Sequence, residues 1–421
     1  MKRKDWLTVI VPTIALAVLG LFKLSPAYFG AEWGLYDLFL SARPAVEERG
    51  EVLLLNVDDL AIERVGVWPW RRSIMADGLI LMAEFGVETV TFDIEYLEES
   101  PLGVNSSVLN QEIPELVTTE FQSLTQDSSS LIGALQAGQI PLDDAGAFVD
   151  ELAQNAAQSS RAVLSKVQEI ARDHDYLLGA TAAVHDEAFF TVGMRPEEDD
   201  RLDQTLRETA AADIAVRPVV EEYPNHHQAG DIKPAILPIL SRAEGAGFPN
   251  VVVDSDGVRR RVALLYAHGD DHYGQLAFAP LWDALGRPEV VVRERSILLR
   301  NADHPDHGIT DIEIPLTPEG HLLITWPPTT FEESFRHLSF FYLVLHDRQV
   351  ADLMHNIRIM DDAGYTALSE GGNQIVRGFD YAETIRAEMI ATESNEGIEE
   401  FQAARELVFE VIGQFLNGET E

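Results

Sequence analysis

The chain has 421 residues, of which 46% are hydrophobic and 24% are charged, which is ordinary for a globular protein with a sizeable core. Its formal net charge of -39 is not ordinary, and it argues against nucleic-acid binding, which relies on Lys and Arg to neutralise phosphates. The absence of cysteine excludes disulfides, thiolate catalysis and cysteine-ligated zinc.

The N-terminus carries an uncharged apolar run, residues 6–22, directly after the basic cluster Lys2, Arg3 and Lys4. This length is at the short end of the roughly 17–25 residues that cross a bilayer, and no signal-peptide cleavage site follows. We therefore expect residues 1–27 to form a cytoplasmic tip and a transmembrane signal anchor. The basic cluster predicts a single-pass protein of the inner membrane, with a cytoplasmic N-terminus and an extracytoplasmic, periplasmic bulk.

The spacing of apolar residues in 28–42 predicts an amphipathic helix that leaves the membrane and ends at Pro44. Residues 51–96 then predict a β-α-β unit that organises the fold. Its elements are a strand at Val52–Leu55, a helix at Ser73–Phe85 and a strand at Val87–Ile94.

Carboxylates close both strands of this unit, Asp58 and Asp59 after the first and Asp93 in the second. A unit of this length implies parallel strands with a right-handed crossover. We therefore expect the two strand ends to meet at one edge of the sheet, where α/β proteins usually bind ligands.

Between these strands lies the heptad Gly66–Arg72, which carries two indoles and two guanidinium groups. One interpretation is an anion or aromatic ligand site that faces Asp58 and Asp93. In the other, the indoles fill the core and Arg71 pairs with a strand-end aspartate. The candidate ligand-binding residues of the whole chain are Asp58, Asp59, Trp68, Trp70, Arg71, Arg72, Asp93 and Arg259.

Residues 97–187 are predicted to be an acidic insertion, with loops and short helices over 99–160 and a better helix over Glu151–Asp173. A solvated acidic surface is favoured here over a calcium site.

Further strands and short helices are then expected to complete the domain. The strands are predicted at Ala188–Met194, Ile214–Val220, Glu289–Val292, Ile297–Leu299, Ile312–Ile314 and Leu322–Thr325, and the helices at Pro196–Asp213, Ala235–Ala243 and Gly274–Leu285.

The turn Asp254–Gly257 separates two β-rich runs, which predicts a hairpin. Asp254 and Asp256 resemble the opening of a calcium loop, but three arginines follow where further ligands are needed, so a turn with ion pairs is favoured. The histidines of 304–307 fit zinc poorly because Pro305 breaks a helical ligand pair. We expect no metal, no cofactor and no catalytic residue.

The tail turns helical from Ser334, with an apolar stripe that includes Phe401, Val408 and Ile412. Docking on the chain's own domain is favoured, and a homodimer is the alternative.

Several motifs occur in an order and spacing that are specific together, although each alone is weak. They are Tyr36-Asp37, Arg43-Pro44, Asp58-Asp59, Gly66-x-Trp68-Pro69-Trp70-Arg71, Phe92-Asp93-Ile94, Gly247-Phe248-Pro249-Asn250, Asp254-x-Asp256-Gly257-x-Arg259-Arg260 and Ile314-Pro315-Leu316 before Gly320. In these motifs the chain resembles the CHASE type 2 sensory domain, an extracytoplasmic input module of bacterial transmembrane receptors. The resemblance implies signal input and does not name a ligand. It also implies later transmembrane helices and a cyclase, kinase or similar output domain. Because no such segment precedes Glu421, we expect either a fragment or a sensor whose output is another protein.

Together these patterns predict an α/β protein with a mixed, largely parallel sheet flanked by helices, acidic or helical insertions and one N-terminal transmembrane helix. Residues 28–345 form the sensor domain and residues 346–421 a C-terminal helical segment. The predicted function is non-enzymatic sensing of a small ligand or an envelope protein, relayed across the membrane. The alternatives are an envelope structural or interaction protein and an anchored periplasmic hydrolase that uses Asp58 and Asp93.

Overall fold

A computed structural model describes residues 3–23, 26–44, 46, 50–104, 109, 113–141, 145–168, 171–198, 203–327, 329–368 and 372–417. The helices are α1 (Arg3–Lys23), α2 (Pro26–Ala42), α3 (Asp59–Val65), α4 (Arg72–Glu84), α5 (Ile113–Gln136), α6 (Ala145–Gln168), α7 (His174–His185), α8 (Gln204–Asp213), α9 (Leu237–Leu240), α10 (Phe278–Ala284), α11 (Phe341–Asp362), α12 (Gly372–Thr392) and α13 (Ile398–Asn417). The strands are β1 (Leu53–Asn56), β2 (Val90–Thr91), β3 (Gly103–Val104), β4 (Ala171–Arg172), β5 (Ala188–Arg195), β6 (Val219–Glu221), β7 (Asp231–Pro234), β8 (Gly245–Gly247), β9 (Arg261–Val262), β10 (Leu265–His268), β11 (Asp271–Gly274), β12 (Glu289–Val292), β13 (Ser296–His304), β14 (Gly308–Pro315), β15 (Leu322–Leu323) and β16 (Arg336–Ser339). Two short 3-10 helices span Phe331–Glu333 and Thr366–Leu368.

Strand β5 is the centre of the main sheet. It pairs in parallel with β2 and β8 and antiparallel with β7. Its sequence AFFTVGMR is buried almost throughout, as expected for a strand that is covered on both faces. Phe190 of β5 stacks on Phe92 with ring centroids 4.8 Å apart, which joins the strand to the end of the first β-α-β unit.

The two strands of that unit do not pair with each other, so the predicted single sheet is wrong at this point. Strand β1 instead forms a parallel ladder with β16, from Leu53 opposite Arg336 to Asn56 opposite Ser339. The predicted strand Val87–Ile94 shortens to β2, which pairs with β5. Both strands still pack through α4 into one core, because Leu55 and Val90 lie against it. The predicted α/β class is confirmed, with the strands divided among several sheets.

A second sheet has the order β14-β13-β12-β6, and its only parallel pair is β12 with β6. Its core contains Trp282 of α10 and the alternate residues Val290 and Val292 of β12. The predicted strand Glu289–Val292 is β12 itself, so this prediction is confirmed.

The acidic insertion differs from its prediction. Residues 113–168 hold two helices of 24 residues each, α5 and α6, which pack on each other. Helix α6 overlaps the helix predicted over Glu151–Asp173, whereas α5 lies where loops and short helices were predicted. The hydroxyls of Thr118, Thr125 and Ser128 donate to carbonyls four residues back in α5, which lets these polar residues fit inside a helix. The solvated surface is in line with the prediction, because α5 buries no residue.

The C-terminal helices cover α4. Phe401 of α13 and Met389 of α12 lie in one cluster with Ile80 of α4, so the predicted docking of the tail on its own domain is confirmed. On the other side of α4, Gly78 lies against Phe340, and a Cβ atom there would meet the phenyl ring at 2.6 Å. Helix α4 is therefore enclosed by the sheet side and by the C-terminal helices.

The N-terminal helix α1 exposes apolar side chains, among them Leu16, Leu19 and Leu21. Of the helices that the structure describes, none is both long enough and apolar enough to cross a membrane. The anchor at residues 6–22 stays a prediction.

Candidate functional site

Asp58 is the N-cap of α3. Its Oδ1 accepts hydrogen bonds from the backbone N–H of Ala61 at 2.8 Å and from the hydroxyl of Ser339 at 2.6 Å. The hydroxyl donor is the main reason why the pKa of Asp58 is lowered, and the backbone N–H adds to it. The carboxylate is therefore ionised and occupied as a helix cap, which is the opposite of what a general acid needs.

The two indoles pack edge to face, with ring centroids 5.2 Å apart. Trp70 is only 9% exposed, lies 5.5 Å from the ring of Phe340, and donates its Nε1–H to the carbonyl of Gly66 at 2.7 Å. Trp68 is half-buried against the same core. This arrangement corresponds to the core-filling interpretation of the heptad.

The two arginines of the heptad have separate environments. Arg71 precedes the first turn of α4, is exposed, and forms no ion pair within the described residues. Arg72 points into the fold, where its Nη1 lies 2.6 Å from Oδ1 of Asp175 and its guanidinium lies over the ring of Tyr96. The predicted pairing of Arg71 with a strand-end aspartate is absent from the described contacts.

The remaining candidates do not gather at one rim. Asp59 and Asp93 are exposed, and within the described residues no hydrogen bond or ion pair joins either of them to Asp58 or to the heptad. Trp68 and Trp70 contact each other, while Asp58 and Trp70 contact consecutive residues at the end of β16, Ser339 and Phe340. The expected convergence of Asp58 and Asp93 rested on β1 pairing with β2, and that pairing does not form.

A different group of residues makes the densest polar contact that the structure describes. We call it the ion-pair cluster, and its members are Asp37, Asp254, Asp256, Arg260 and Arg261. Arg260 donates five hydrogen bonds, between 2.7 and 3.2 Å, to the three carboxylates. Arg261 adds a contact of 2.9 Å to Oδ1 of Asp254. The predicted turn with ion pairs is confirmed, although the candidate Arg259 is exposed and its neighbour Arg260 is the buried partner.

Helix α2 is attached to the rest of the chain by this cluster. Asp37 lies on α2, and the guanidinium groups of Arg260 and Arg261 lie 5.5 and 5.3 Å from the ring centroid of Trp33 on the same helix. The hydroxyl of Tyr36 donates to the carbonyl of Ile324 at 3.1 Å. Three neighbouring residues of α2 therefore dock beside the hairpin turn.

Electrostatics favour the ionised form of this cluster. The hydrogen bonds from Arg260 are the largest cause that lowers the pKa of Asp37, and they lower the pKa of Asp256 to about 2. The same bonds raise the pKa of Arg260. The pairs of Arg260 with Asp37 and Asp256 thus stay charged from neutral pH down to the range in which the free carboxylates titrate.

Sequence reasoning did not find this attachment. Asp37 and Arg260 are 223 positions apart, and no periodicity relates them. The available signal was that both belong to the motifs by which the chain resembles a known family, together with the surplus of charge at the hairpin.

The family model of the CHASE2 domain matches residues 13–362, which is most of the chain. The chain belongs to the CHASE2 family. CHASE2 is a family of sensory domains of receptors, so a sensor role is supported. The matched region of this CHASE2 protein includes α2 and the whole ion-pair cluster, whereas α12 and α13 lie beyond it. No curated protein and no solved structure matches the chain.

A histidine pair lies near the cluster. The rings of His227 and His321 are 4.6 Å apart, and His227 Nε2 lies 3.1 Å from the carbonyl oxygen of Gly320. Burial lowers the pKa of both, and that of His321 falls to about 4. In the part of the chain that the structure describes, no group of three or more suitable side chains could hold a metal ion.

This pair predicts a loss of stability in mild acid. Between about pH 6.5 and 4 the unfolded chain takes up a proton at His321 while the folded chain does not, so the free energy of unfolding falls as the pH falls. We expect His321→Asn to remove roughly 1–3 kcal/mol of this decline, measured by urea unfolding at pH 7 and pH 4.5. His307→Asn, at an exposed position, is the control and should leave the slope unchanged. Equal slopes for His321→Asn and the unaltered chain would contradict the assignment.

Proposed function

We propose that this CHASE2 domain is the extracytoplasmic sensor of a membrane-attached receptor, and that it passes its state to the membrane through α2. The observation that carries the proposal is the contact of Asp37 on α2 with Arg260 in the domain. Residues 6–22 provide the membrane attachment. The uncharged run and the exposed leucines of α1 support this attachment.

The ion-pair cluster joins buried charged groups of the domain to a more exposed carboxylate on α2, as a reversible contact of α2 requires. The side chain of Arg260 is 3% exposed, and that of Asp254 is 1% exposed, so this pair belongs to the interior. The side chain of Asp37 is 47% exposed, so water can take its place beside Arg260 when α2 moves away. Arg260 retains Asp254 and Asp256 when Asp37 leaves, so releasing α2 does not strand a buried unpaired charge.

We infer two arrangements of α2, one docked through Trp33, Tyr36 and Asp37 and one released. The Asp37 contact joins the 3% exposed side chain of Arg260 to a 47% exposed carboxylate, so solvent partly screens it, and it is the ion pair that α2 gives up on release. A ligand or partner that binds one arrangement better shifts the population by its difference in affinity. The exposed Arg71 at the start of α4 is the part of the predicted Trp-Pro-Trp-Arg site that an input still reaches.

Distance measurements on α2 test the relay. The chain has no cysteine, so Leu38→Cys and Ile309→Cys place two spin labels at exposed positions of α2 and β14. In membranes, Asp37→Asn should broaden the distribution of distances between the labels, because it removes the negative charge by which α2 pairs with Arg260. Pulsed electron paramagnetic resonance gives this distribution directly.

Glu32→Gln is the matched control, since it removes one negative charge from an exposed position of the same helix and should leave the distribution unchanged. The labelled chain should be recovered with the membranes, and a chain that begins at Pro26 should not. An unaltered distribution in Asp37→Asn would exclude a relay through this contact.

A second candidate function, an envelope interaction protein, is favoured by one observation. Helices α5 and α6 expose large apolar side chains, including Phe121 at 65%, Ile132 and Leu164. A contiguous patch of such side chains would mark binding to another protein. In such a protein the α5–α6 pair would carry the function, and the contact of Asp37 with Arg260 would be structural only.

A further inference from the structure

A cavity of about 310 Å³ lies where α11, α12 and α13 meet α4. Ligand sites of proteins usually fall between about 300 and 1,000 Å³, so this volume suits a small molecule. Apolar side chains form part of the wall, among them Ile80, Met354 and Phe401. Charged side chains of both signs form the rest, among them Glu84, Glu383, Arg386 and Arg405.

Arg405 offers donors to this cavity. Its side chain is 6% exposed, and its Nε donates to Oε1 of Glu84 at 2.9 Å. The guanidinium lies 5.2 and 4.9 Å from the ring centroids of Phe379 and Phe409, which hold its plane. Its Nη1 lies 3.9 Å from Oε1 of Glu383, which is too long for a hydrogen bond. The terminal N–H groups therefore retain capacity for a carboxylate.

Glu383 offers the opposite charge. Its two contacts are long, 3.5 Å to Nη1 of Arg386 and 3.9 Å to Nη1 of Arg405. Arg386 is held more closely by Oδ1 of Asp77, at 3.0 Å. The carboxylate of Glu383 therefore forms no short hydrogen bond with either arginine. It lies beside the cavity and can accept hydrogen bonds from an ammonium group.

We propose that this cavity binds a small zwitterion with an apolar body, of the class of α-amino acids with apolar side chains. A ligand with only a carboxylate leaves the acceptor oxygens of Glu383 unused, and a ligand with only an ammonium group leaves the terminal N–H donors of Arg405 unused. A zwitterion pairs with both while its apolar part lies on the wall. Helices α12 and α13, which supply Glu383 and Arg405, lie beyond the residues that the CHASE2 model matches, whereas α4 and α11 lie within them.

Calorimetric titration of the 421-residue chain tests the ligand class with three probes of similar shape. L-leucine carries both charges, 4-methylpentanoate carries only the carboxylate, and 3-methylbutylamine carries only the ammonium group. We expect saturable binding of leucine and a Kd at least about tenfold weaker for each analogue, because each loses one charge-assisted hydrogen bond.

Two substitutions test the location. Ala351→Phe places a ring at the mouth of the cavity and should abolish leucine binding. Ala403→Phe puts the same ring on an exposed position of α13 that does not line the cavity, and it should leave the Kd unchanged. Glu383→Gln keeps the shape of the side chain and should weaken leucine about tenfold without weakening 4-methylpentanoate.

The proposal is overturned if leucine gives no saturable heat, if 4-methylpentanoate binds as tightly as leucine, or if Glu383→Gln leaves the leucine Kd unchanged. Circular dichroism of each variant separates loss of the site from loss of the fold. Because binding is measured directly, the result is independent of whether α2 relays a signal.

Discussion

Replacing Arg260 with methionine should lower the free energy of unfolding by about 3 kcal/mol, at the lower end of what breaking a buried ion pair costs. Methionine keeps much of the volume, so the loss is mainly electrostatic. Asp254 is 1% exposed and would keep only Arg261, while Asp37 and Asp256 would face each other without a cation between them. Urea unfolding at neutral pH and low salt, followed by circular dichroism, measures the change.

Arg259→Met is the matched control, because Arg259 is adjacent, exposed and without an ion pair within the described residues. Its effect should stay within about 0.5 kcal/mol, as for most surface substitutions. If both variants lose the same stability, the hairpin itself and not the ion-pair cluster determines the result.

Trp70→Ala should destabilise the protein by about 3–5 kcal/mol, the range for removing a large aromatic side chain from a core. The indole is buried beside Phe340, and its N–H donor satisfies the carbonyl of Gly66. The substitution therefore leaves a cavity and an unpaired acceptor. Thermal and urea unfolding of the purified variant measure the loss.

Two further variants separate packing from ligand binding in this heptad. Trp70→Phe keeps an aromatic ring and should cost less than half as much as Trp70→Ala. Arg71→Ala should leave stability unchanged because Arg71 is exposed, so a response lost in this variant alone would indicate ligand binding at the heptad. A fully stable Trp70→Ala variant would remove the core-filling interpretation.

Patterns that depend on neighbouring residues predicted much of the fold. The apolar runs of β5 and β12 identified both strands, and the Asp-Gly dipeptide at Gly257 identified the turn. The helical spacing of Phe401, Val408 and Ile412 identified the face of α13 that docks. Each of these signals lies within one element, where side-chain period and secondary structure are directly linked.

Contacts between residues that are far apart in the sequence could not be predicted from it. The ladder between β1 and β16 joins residues more than 280 positions apart, and the apolar run of β1 fits several partners equally well. Arg259 and Arg260 are alike in sequence, and only the direction in which the hairpin turns them decides which one is buried. Helix α5 was missed because Ser and Thr usually favour loops, whereas here their hydroxyls bond to the helix itself.

The enclosure of α4 has a consequence for where this protein divides into autonomous parts. Ile80 and Val184 pack against apolar side chains of α12 and α13. Both of these helices follow the last residue of the family match. A chain ended at that residue would present these side chains to water and lose the contacts of Arg405 with Glu84 and of Arg386 with Asp77. The limit of the homologous region and the limit of the cooperative folding unit are therefore different in this molecule.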